Sequence, residues 1–143
     1  MSLNAAQKIG LTMGDPNGIG PEVLIRALKF LYPFQQWEPL IFGDTEVLTE
    51  INRVLDAPFS FEKITKNEPI KTKYVSDSFC LPVIDLAVQK DRKWKLGACS
   101  AWGGESAFQF VHCAIDNANH KNIDAIVTAP LAKEALHAAG HLF

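Results

Sequence analysis

The chain has 143 residues, of which 48% are hydrophobic and 21% are charged, and its formal net charge is −2. These values are typical of one soluble domain with its own core, and such a small net charge gives no reason to expect nucleic acid or an anionic membrane as a partner. No apolar run approaches the roughly 20 residues of a membrane span, and no signal peptide is visible.

The first predicted unit is a strand, a glycine-rich loop and a helix, all within residues 8–29. The apolar run 8–13 predicts a buried strand, and residues 14–20, GDPNGIG, are rich in turn-forming types. Pro21 suits the first helical position and Glu22 the first helical turn. The helix has one apolar stripe, made of Val23, Leu24, Ala27, Leu28 and Leu31.

The loop at residues 14–20 has two interpretations. It is either a tight turn that needs glycine for its backbone angles, or a ligand loop at the carboxyl end of a parallel strand. Its glycines fit neither the dinucleotide fingerprint nor the P-loop pattern. Three glycines, a proline and the polar side chains of Asp15 and Asn17 favour the ligand loop.

A second strand, turn and helix follow. The run 39–43 predicts a strand, and Asp44 is a suitable N-cap for a helix through Leu55. Repeated units of this kind imply parallel strands. Further strands are expected at 59–64 and 81–86, with a polar loop at 66–73 between them. The buried face of the second helix is predicted to hold Val47, Leu48, Ile51 and Val54.

The third predicted helix begins after Ser100, a suitable N-cap, and runs to about residue 119. The charged patch before it, at 91–95, has too few aromatic and basic residues for a nucleic-acid face, so we interpret it as a solvated loop. Gly103 and Gly104 cost the helix about 1 kcal/mol each, which predicts close packing there. Its inner face is predicted to hold Ala107, Phe108, Val111, Ile115 and Ala118.

The last predicted unit is a strand at 124–128 followed by a helix that starts at Pro130 and stops at Gly140. Free amides at that helix start, together with Lys133 one turn further on, are suited to bind an anion such as a phosphate. An ordinary junction with an exposed lysine is the alternative, and the residues alone leave both open.

Neither cysteine nor histidine forms a metal-site pattern. Three widely spaced cysteines argue against a disulfide framework or a zinc site, so we expect reduced thiols in or near the core and a cytoplasmic location. His137 and His141 lie four residues apart, but Gly140 is expected to end the helix between them and no third ligand stands nearby.

Three stretches resemble one enzyme family. The opening TMGDPNGIGPE, residues 12–22, is similar to the GDPxGIGPE motif of the 4-hydroxythreonine-4-phosphate dehydrogenases, and the stretches 97–105 and 124–133 agree in register. A shorter GDGIGPE loop opens the isocitrate and isopropylmalate dehydrogenases. The resemblance implies a three-layer α/β/α fold with a mostly parallel sheet, like that of the isocitrate and isopropylmalate dehydrogenases.

The resemblance also implies an activity and site residues. The family oxidises 4-phosphooxy-L-threonine with NAD or NADP and a divalent metal (zinc, magnesium or cobalt), and the keto acid then loses CO2, in pyridoxal phosphate synthesis. The implied substrate-binding residues are Thr128 and Lys133. The implied cofactor-binding residues, expected at the cleft beside the strand ends, are Asp15, Asn17, Gly18 and Ile19.

The family pattern continues beyond Phe143 with a Gly-His-Thr-Glu segment and, later, the metal-binding histidines. We therefore expect residues 1–143 to be the N-terminal portion of a larger two-domain dehydrogenase that forms a homodimer and whose metal ligands lie downstream of this chain. No catalytic residue and no metal ligand is expected within this chain, and we expect the chain alone to be inactive. The strand at 124–128 would normally be covered on both faces of the sheet, and we expect part of that cover to come from the missing portion of the protein. We therefore also expect an exposed apolar face.

Two alternatives remain. Phosphate acetyltransferases are similar in fold, and a lysine that binds phosphate would suit such a transferase as well. Related dehydrogenases act on other phosphorylated four-carbon acids, so the second alternative is a dehydrogenase of the same family with another substrate of that class.

Overall fold

The computed structural model describes residues 6–34, 36–65, 79–88, 92 and 94–142. The predicted polar loop at 66–73 and part of the charged patch at 91–95 lie outside these residues. The helices and strands are β1 (Gln7–Thr12), α1 (Gly20–Leu31), a short 3-10 helix (Tyr32–Phe34), β2 (Trp37–Gly43), α2 (Thr45–Val54), β3 (Ser60–Ile64), β4 (Cys80–Asp85), α3 (Ala101–Asn119), β5 (Ala125–Thr128) and α4 (Lys133–Ala138).

The strands form one parallel sheet in the order β3-β4-β2-β1-β5. The crossover from β1 to β2 and the crossover from β4 to β5 run in opposite directions across this sheet. Since such crossovers are right-handed, α1 and α3 lie on opposite faces. The predicted α/β class with helices on both sides of a parallel sheet is confirmed. Among the described residues, no helix has the length and apolar content that crossing a bilayer requires.

The predicted N-caps of the second and third helices are confirmed, but the predicted buried faces of these helices are only partly correct. Asp44 and Ser100 are the N-caps of α2 and α3, and each accepts hydrogen bonds from the first helical turn. Val54 is 63% exposed and Ile115 is 45% exposed, although both were predicted to be buried. The side chains that α3 buries lie on a stripe rotated from the predicted one, and the larger ones are Trp102, Ser106, Phe110 and Cys113.

The two glycines of α3 are packing positions, as predicted. A Cβ at Gly104 would collide with the backbone of Ala135 in α4, and one at Gly103 would lie 2.5 Å from Asp15 Oδ1. Any larger residue would therefore push α3 away from α4 or from the loop after β1. This close approach offsets the helix-propensity cost of the two glycines.

Candidate active site

The loop after β1 and the loop after β5 pack against each other at the carboxyl edge of the sheet. The backbone N–H of Asp15 donates to the carbonyl oxygen of Pro130 (3.3 Å). Gly14 has a φ of 75°, and a Cβ there would collide with the same carbonyl. The helix after β1 is α1, and the helix after β5 is α4, which packs on α3 and so lies on the opposite face of the sheet from α1. Two neighbouring strands whose connections leave to opposite faces form the switch point where open α/β sheets bind ligands.

Asp15 lies beneath the surface of this junction. Its side chain is buried, and its Oδ1 accepts the backbone N–H of Asn17 (2.9 Å). Burial raises the pKa of Asp15, although the hydrogen bond from Asn17 acts in the opposite direction. Gly103 of α3 also packs against the carboxyl group. This contact helps to shield the Asp15 carboxyl group from solvent.

Asn17 is equally buried and joins the loop to the segment before α3. Its Oδ1 accepts the backbone N–H of Lys95 (2.9 Å), and its Nδ2 donates to Ser100 Oγ (2.8 Å). Its carbonyl oxygen accepts the N–H of Gly97 (2.7 Å). Trp94 adds a bond from its indole Nε1 to the carbonyl of Pro16 (2.9 Å). These contacts fix residues 94–100 against the glycine-rich loop.

The accessible part of the junction consists of other predicted residues. Ile19 is 59% exposed and Gly18 is half-buried, whereas Thr128 and Lys133 are both exposed. The structure thus brings the two predicted groups to one edge, with Asp15 and Asn17 underneath. Ile19, Thr128 and Lys133 are the side chains that a bound molecule can reach.

The predicted start of the last helix is wrong. Residues 129–132 are not helical, and α4 begins at Lys133 instead of Pro130. The physical reason is the contact with the first loop, since the Pro130 carbonyl accepts the Asp15 amide and is pressed against Gly14 and Gly20. Lys133 is therefore the first residue of α4, and the N-cap Ala132 has no side chain that can cap it.

Sequence reasoning missed two features near this site. The hydroxyl of Thr12, at the end of β1, is buried and has no hydrogen-bond partner among the described residues. His141, just beyond α4, contacts Glu105 of α3 (Nε2 to Oε2, 2.7 Å) and stacks on Phe108. Burial acts to raise the pKa of Glu105, but hydrogen bonds from Gln109 and His141 outweigh it and the pKa is lowered. A polar residue inside an apolar strand was the only sequence signal for Thr12.

The described residues do not assemble a metal site. No group of three histidine, cysteine or carboxylate side chains lies close enough to hold an ion in the part of the chain that the structure covers. A divalent metal therefore does not fit the residues described here, and we assign no step of a reaction to one.

Known proteins share this sequence and this fold. A family model described as pyridoxal phosphate biosynthetic protein PdxA matches residues 35–143. The chain belongs to this family. The family match starts after the glycine-rich loop, so the contacts of that loop with residues 94–100 and with Pro130 link it to the matched part of the chain.

Curated PdxA-family relatives carry two names. The D-threonate 4-phosphate dehydrogenase of Cupriavidus necator is 38% identical over 94% of this chain and 39% of its own length. The 4-hydroxythreonine-4-phosphate dehydrogenase of Trichlorobacter lovleyi is 31% identical over 94% of this chain and 39% of its own length. The chain spans about two fifths of the length of the curated relatives that it matches.

A solved structure has the same fold across almost the whole chain. The crystal structure of a 4-hydroxythreonine-4-phosphate dehydrogenase from Burkholderia phymatum superposes with a TM-score of 0.81 at 35% identity. The superposition covers 96% of this chain and 40% of that one. The arrangement of the two loops at the switch point thus belongs to a fold that PdxA-family dehydrogenases use.

Proposed function

We propose that this chain works as part of an NAD- or NADP-dependent dehydrogenase that oxidises a phosphorylated four-carbon hydroxy acid. The observation that carries the proposal is the packed junction of the two loops, which leaves Ile19, Thr128 and Lys133 exposed at the switch point in a PdxA-family chain. In this proposal residues 1–143 are the N-terminal portion of a larger two-domain subunit, and two such subunits form a homodimer in the cytoplasm. The divalent metal would be bound by residues outside this chain.

The chain's own residues would bind and orient the substrate. The Lys133 ammonium and the Thr128 hydroxyl, both exposed and on either side of Pro130, would bind the substrate phosphate through charge-assisted hydrogen bonds. Ile19 would contact the cofactor, with Gly18 allowing close approach and with Asp15 and Asn17 holding the loop from beneath. A nicotinamide cofactor held there would supply the hydride acceptor for oxidation of the carbon that bears the hydroxyl group.

The proposed substrate is 4-phosphooxy-L-threonine. Oxidation of its hydroxyl group gives a β-keto acid, which loses its carboxylate as CO2 to give the amino ketone used in pyridoxal phosphate synthesis. A second candidate is D-threonate 4-phosphate, because the Cupriavidus necator relative that carries this name is more similar to the chain than the Trichlorobacter lovleyi relative is, at 38% against 31% identity.

A chimaera tests the function. In it, this chain replaces the matched region of the Cupriavidus necator enzyme, and NAD(P)H formation is followed by absorbance with each of the two substrates. We expect substrate-dependent reduction by the chimaera and none by the 143-residue chain alone. A folded chimaera that reduces neither cofactor with either substrate would contradict the proposal. Acyl transfer to phosphate in place of reduction would favour the transferase alternative.

A further inference from the structure

The segment after α4 is connected to α3 through the side chain of His141. This residue lies two positions beyond Ala139, the C-cap of α4, and its Nε2 is 2.7 Å from Oε2 of Glu105 in α3. The His141 ring also stacks on Phe108, with 3.7 Å between the ring centroids and 12° between the ring planes. One side chain thus makes a polar contact and an aromatic contact with the same helix. We call His141, Glu105 and Phe108 the α3–α4 clasp.

The backbone at the end of α4 has the hydrogen bonds of a Schellman motif. Gly140 has a φ of 91°, and its N–H donates to the carbonyl oxygen of His137 (2.9 Å). The N–H of His141 donates to the carbonyl oxygen of Leu136 (3.0 Å). In this motif a glycine in the left-handed region ends the helix, and the residue after it closes the second bond. The backbone of His141 is therefore part of the C-terminal cap of α4, so its side chain joins that helix directly to α3.

The polar contact of the clasp is partly shielded from solvent. The side chain of His141 is 21% exposed and that of Glu105 is 34% exposed. Fully exposed ion pairs contribute little to stability because water and salt screen them, and shielding strengthens the attraction. The other carboxylate oxygen of Glu105, Oε1, accepts a hydrogen bond from Gln109 Nε2 (2.7 Å). The carboxylate is therefore held in place for its contact with His141.

α4 depends on contacts with α3 because it is short. It has six residues, and isolated helices shorter than about 12 residues are marginal in water. Its N-cap, Ala132, has no side chain that can cap it. Near its middle, Gly104 allows α3 to pack closely on the backbone of Ala135. The clasp adds a contact at the end of the helix, where fraying begins.

Loss of the clasp would reach Lys133, which is the first residue of α4. Helix formation is cooperative, so a helix of six residues that loses its last turn keeps too few hydrogen bonds to remain folded. Lys133 would then lose its fixed backbone position at the carboxyl edge of the sheet. The clasp and Lys133 lie at opposite ends of α4, and the fold of this helix connects them.

We propose that His141 is a positioning residue, which through the α3–α4 clasp keeps α4 folded and so holds Lys133 in place for the phosphate of the substrate. The inference rests on the proposed function, in which Lys133 binds that phosphate. His141 contacts no part of the substrate in this arrangement and acts only through α4.

Hydrogen exchange tests the clasp without reference to activity. His141→Ala is compared with the unchanged 143-residue chain at the amides of Leu136 and Ala139, which donate to the carbonyl groups of Ala132 and Ala135. We expect these amides to exchange about tenfold or more faster in the variant, because the opening of α4 no longer breaks a charge-assisted hydrogen bond. Unchanged exchange would overturn the proposal.

His112→Ala is the matched control. The His112 ring also stacks on Phe108, with 5.8 Å between the centroids, but its Nδ1 pairs with Oδ2 of Asp116 in the same helix (3.5 Å). This variant should leave exchange at Leu136 and Ala139 unchanged. Equal acceleration in the two histidine variants would contradict the proposal, because any loss on the surface of α3 would then open α4.

Kinetics of the chimaera test whether the clasp acts through Lys133. A misplaced phosphate ligand removes binding that substrate and transition state share, so His141→Ala should raise KM for the phosphorylated substrate about three- to tenfold and change kcat by less than about twofold. In a Lys133→Ala background the same change should add nothing, because two changes that act through one group are not additive. His141→Gln, whose amide can still donate to Glu105, should restore part of the loss. A rise in KM that persists in the Lys133→Ala background, or a loss in kcat alone, would overturn the positioning role.

The two measurements separate a failure of this inference from a failure of the proposed function. If Lys133→Ala leaves KM unchanged, the proposed function loses its phosphate ligand and the positioning role falls with it. If Lys133→Ala raises KM whereas His141→Ala does not, only the inference about His141 is wrong. Should the chimaera not fold, exchange at α4 in the 143-residue chain decides: faster exchange in His141→Ala supports the clasp, and unchanged exchange contradicts it.

Discussion

The junction after β2 and the junction after β5 lie at the same edge of the sheet, yet they use their polar groups differently. After β2, Asp44 is buried and its Oδ1 accepts the backbone N–H groups of Glu46 (3.0 Å) and Val47 (3.2 Å). Its Oδ2 lies 3.1 Å from Nη1 of Arg92. Both carboxylate oxygens of Asp44 thus contact groups of the described chain, Oδ1 through hydrogen bonds and the buried Oδ2 through the ion pair with Arg92.

After β5, the polar groups are left accessible. The N-cap of α4 is Ala132, whose side chain caps none of the helix amides, and Lys133 follows it as an exposed residue. The comparison teaches that a position at the carboxyl edge does not make a ligand site by itself. A site also needs polar groups that the fold has not already used, and among the described residues the exposed side chains of Lys133 and Thr128 meet that condition. The junction after β1 is intermediate, with Asp15 and Asn17 bound internally and Ile19 exposed.

The largest expected effect on stability comes from Asp44→Ala. The change removes the cap of α2 and leaves the mostly buried Arg92 without its buried carboxylate partner, so we expect a loss of about 2–4 kcal/mol in the free energy of unfolding. Glu46→Ala is the control, because Glu46 also pairs with Arg92 but is itself exposed, and should cost about 1 kcal/mol or less. Urea unfolding measures both. Equal losses in the two variants would contradict the structural role assigned to Asp44.

Asn17→Ala is expected to have the next largest effect. It leaves the N–H of Lys95 without its acceptor and removes the bond to Ser100, at a cost of about 2 kcal/mol. Hydrogen exchange should become faster at Lys95 and Gly97. Asn122→Ala is the control, since it removes one exposed side-chain bond, to Asn117. If the exchange of residues 94–100 is unchanged in Asn17→Ala, Asn17 does not hold that segment.

Asp15→Asn is expected to change how stability depends on pH. Because the pKa of Asp15 is raised in the folded chain, the folded state holds this proton more tightly than the unfolded state does. The contribution of Asp15 to stability therefore falls as pH rises from the unfolded pKa, about 3.9, through the folded pKa, and it stays at its lowest value above that. Asparagine keeps the acceptor for Asn17 without the charge.

The stability of Asp15→Asn relative to the wild type should accordingly increase with pH across this window. Unfolding free energies measured from about pH 3.5 to pH 7 check this, since the window starts near the ordinary pKa of aspartate. A difference that does not vary with pH would show that the buried carboxyl group titrates as an exposed one does.

Local chemistry made much of this fold predictable. Asp44 and Ser100 were recognisable as N-caps because a short polar side chain preceded each apolar helix, and the pair Gly103–Gly104 indicated a close approach. The inner face of α3 was not predictable from periodicity. This helix packs on the sheet and on α4 together, so Phe110 is buried while Ile115 is exposed.

The site was predictable in its residue types and less so in its geometry. The motifs indicated both loops, and they do meet at one edge of the sheet. The start of α4 was not predictable, because the contact between Asp15 and Pro130 is tertiary and cannot be read from the local sequence. The same holds for the burial of Asn17, which depends on residues 78 or more positions away.

The smallest expected effect on stability is that of Lys133→Ala, and this variant tests the central claim most directly. Lys133 is exposed at the start of α4, so the substitution should change the free energy of unfolding by about 0.5 kcal/mol or less. In the chimaera, the same change should raise KM for the phosphorylated substrate by about 10- to 150-fold, the equivalent of roughly 1.5–3 kcal/mol for a charged hydrogen bond. Lys29→Ala, in the last turn of α1 and away from the carboxyl edge of the sheet, is the control and should leave KM unchanged. A KM for Lys133→Ala equal to that of the control would contradict the account, because the junction after β5 would then hold no phosphate.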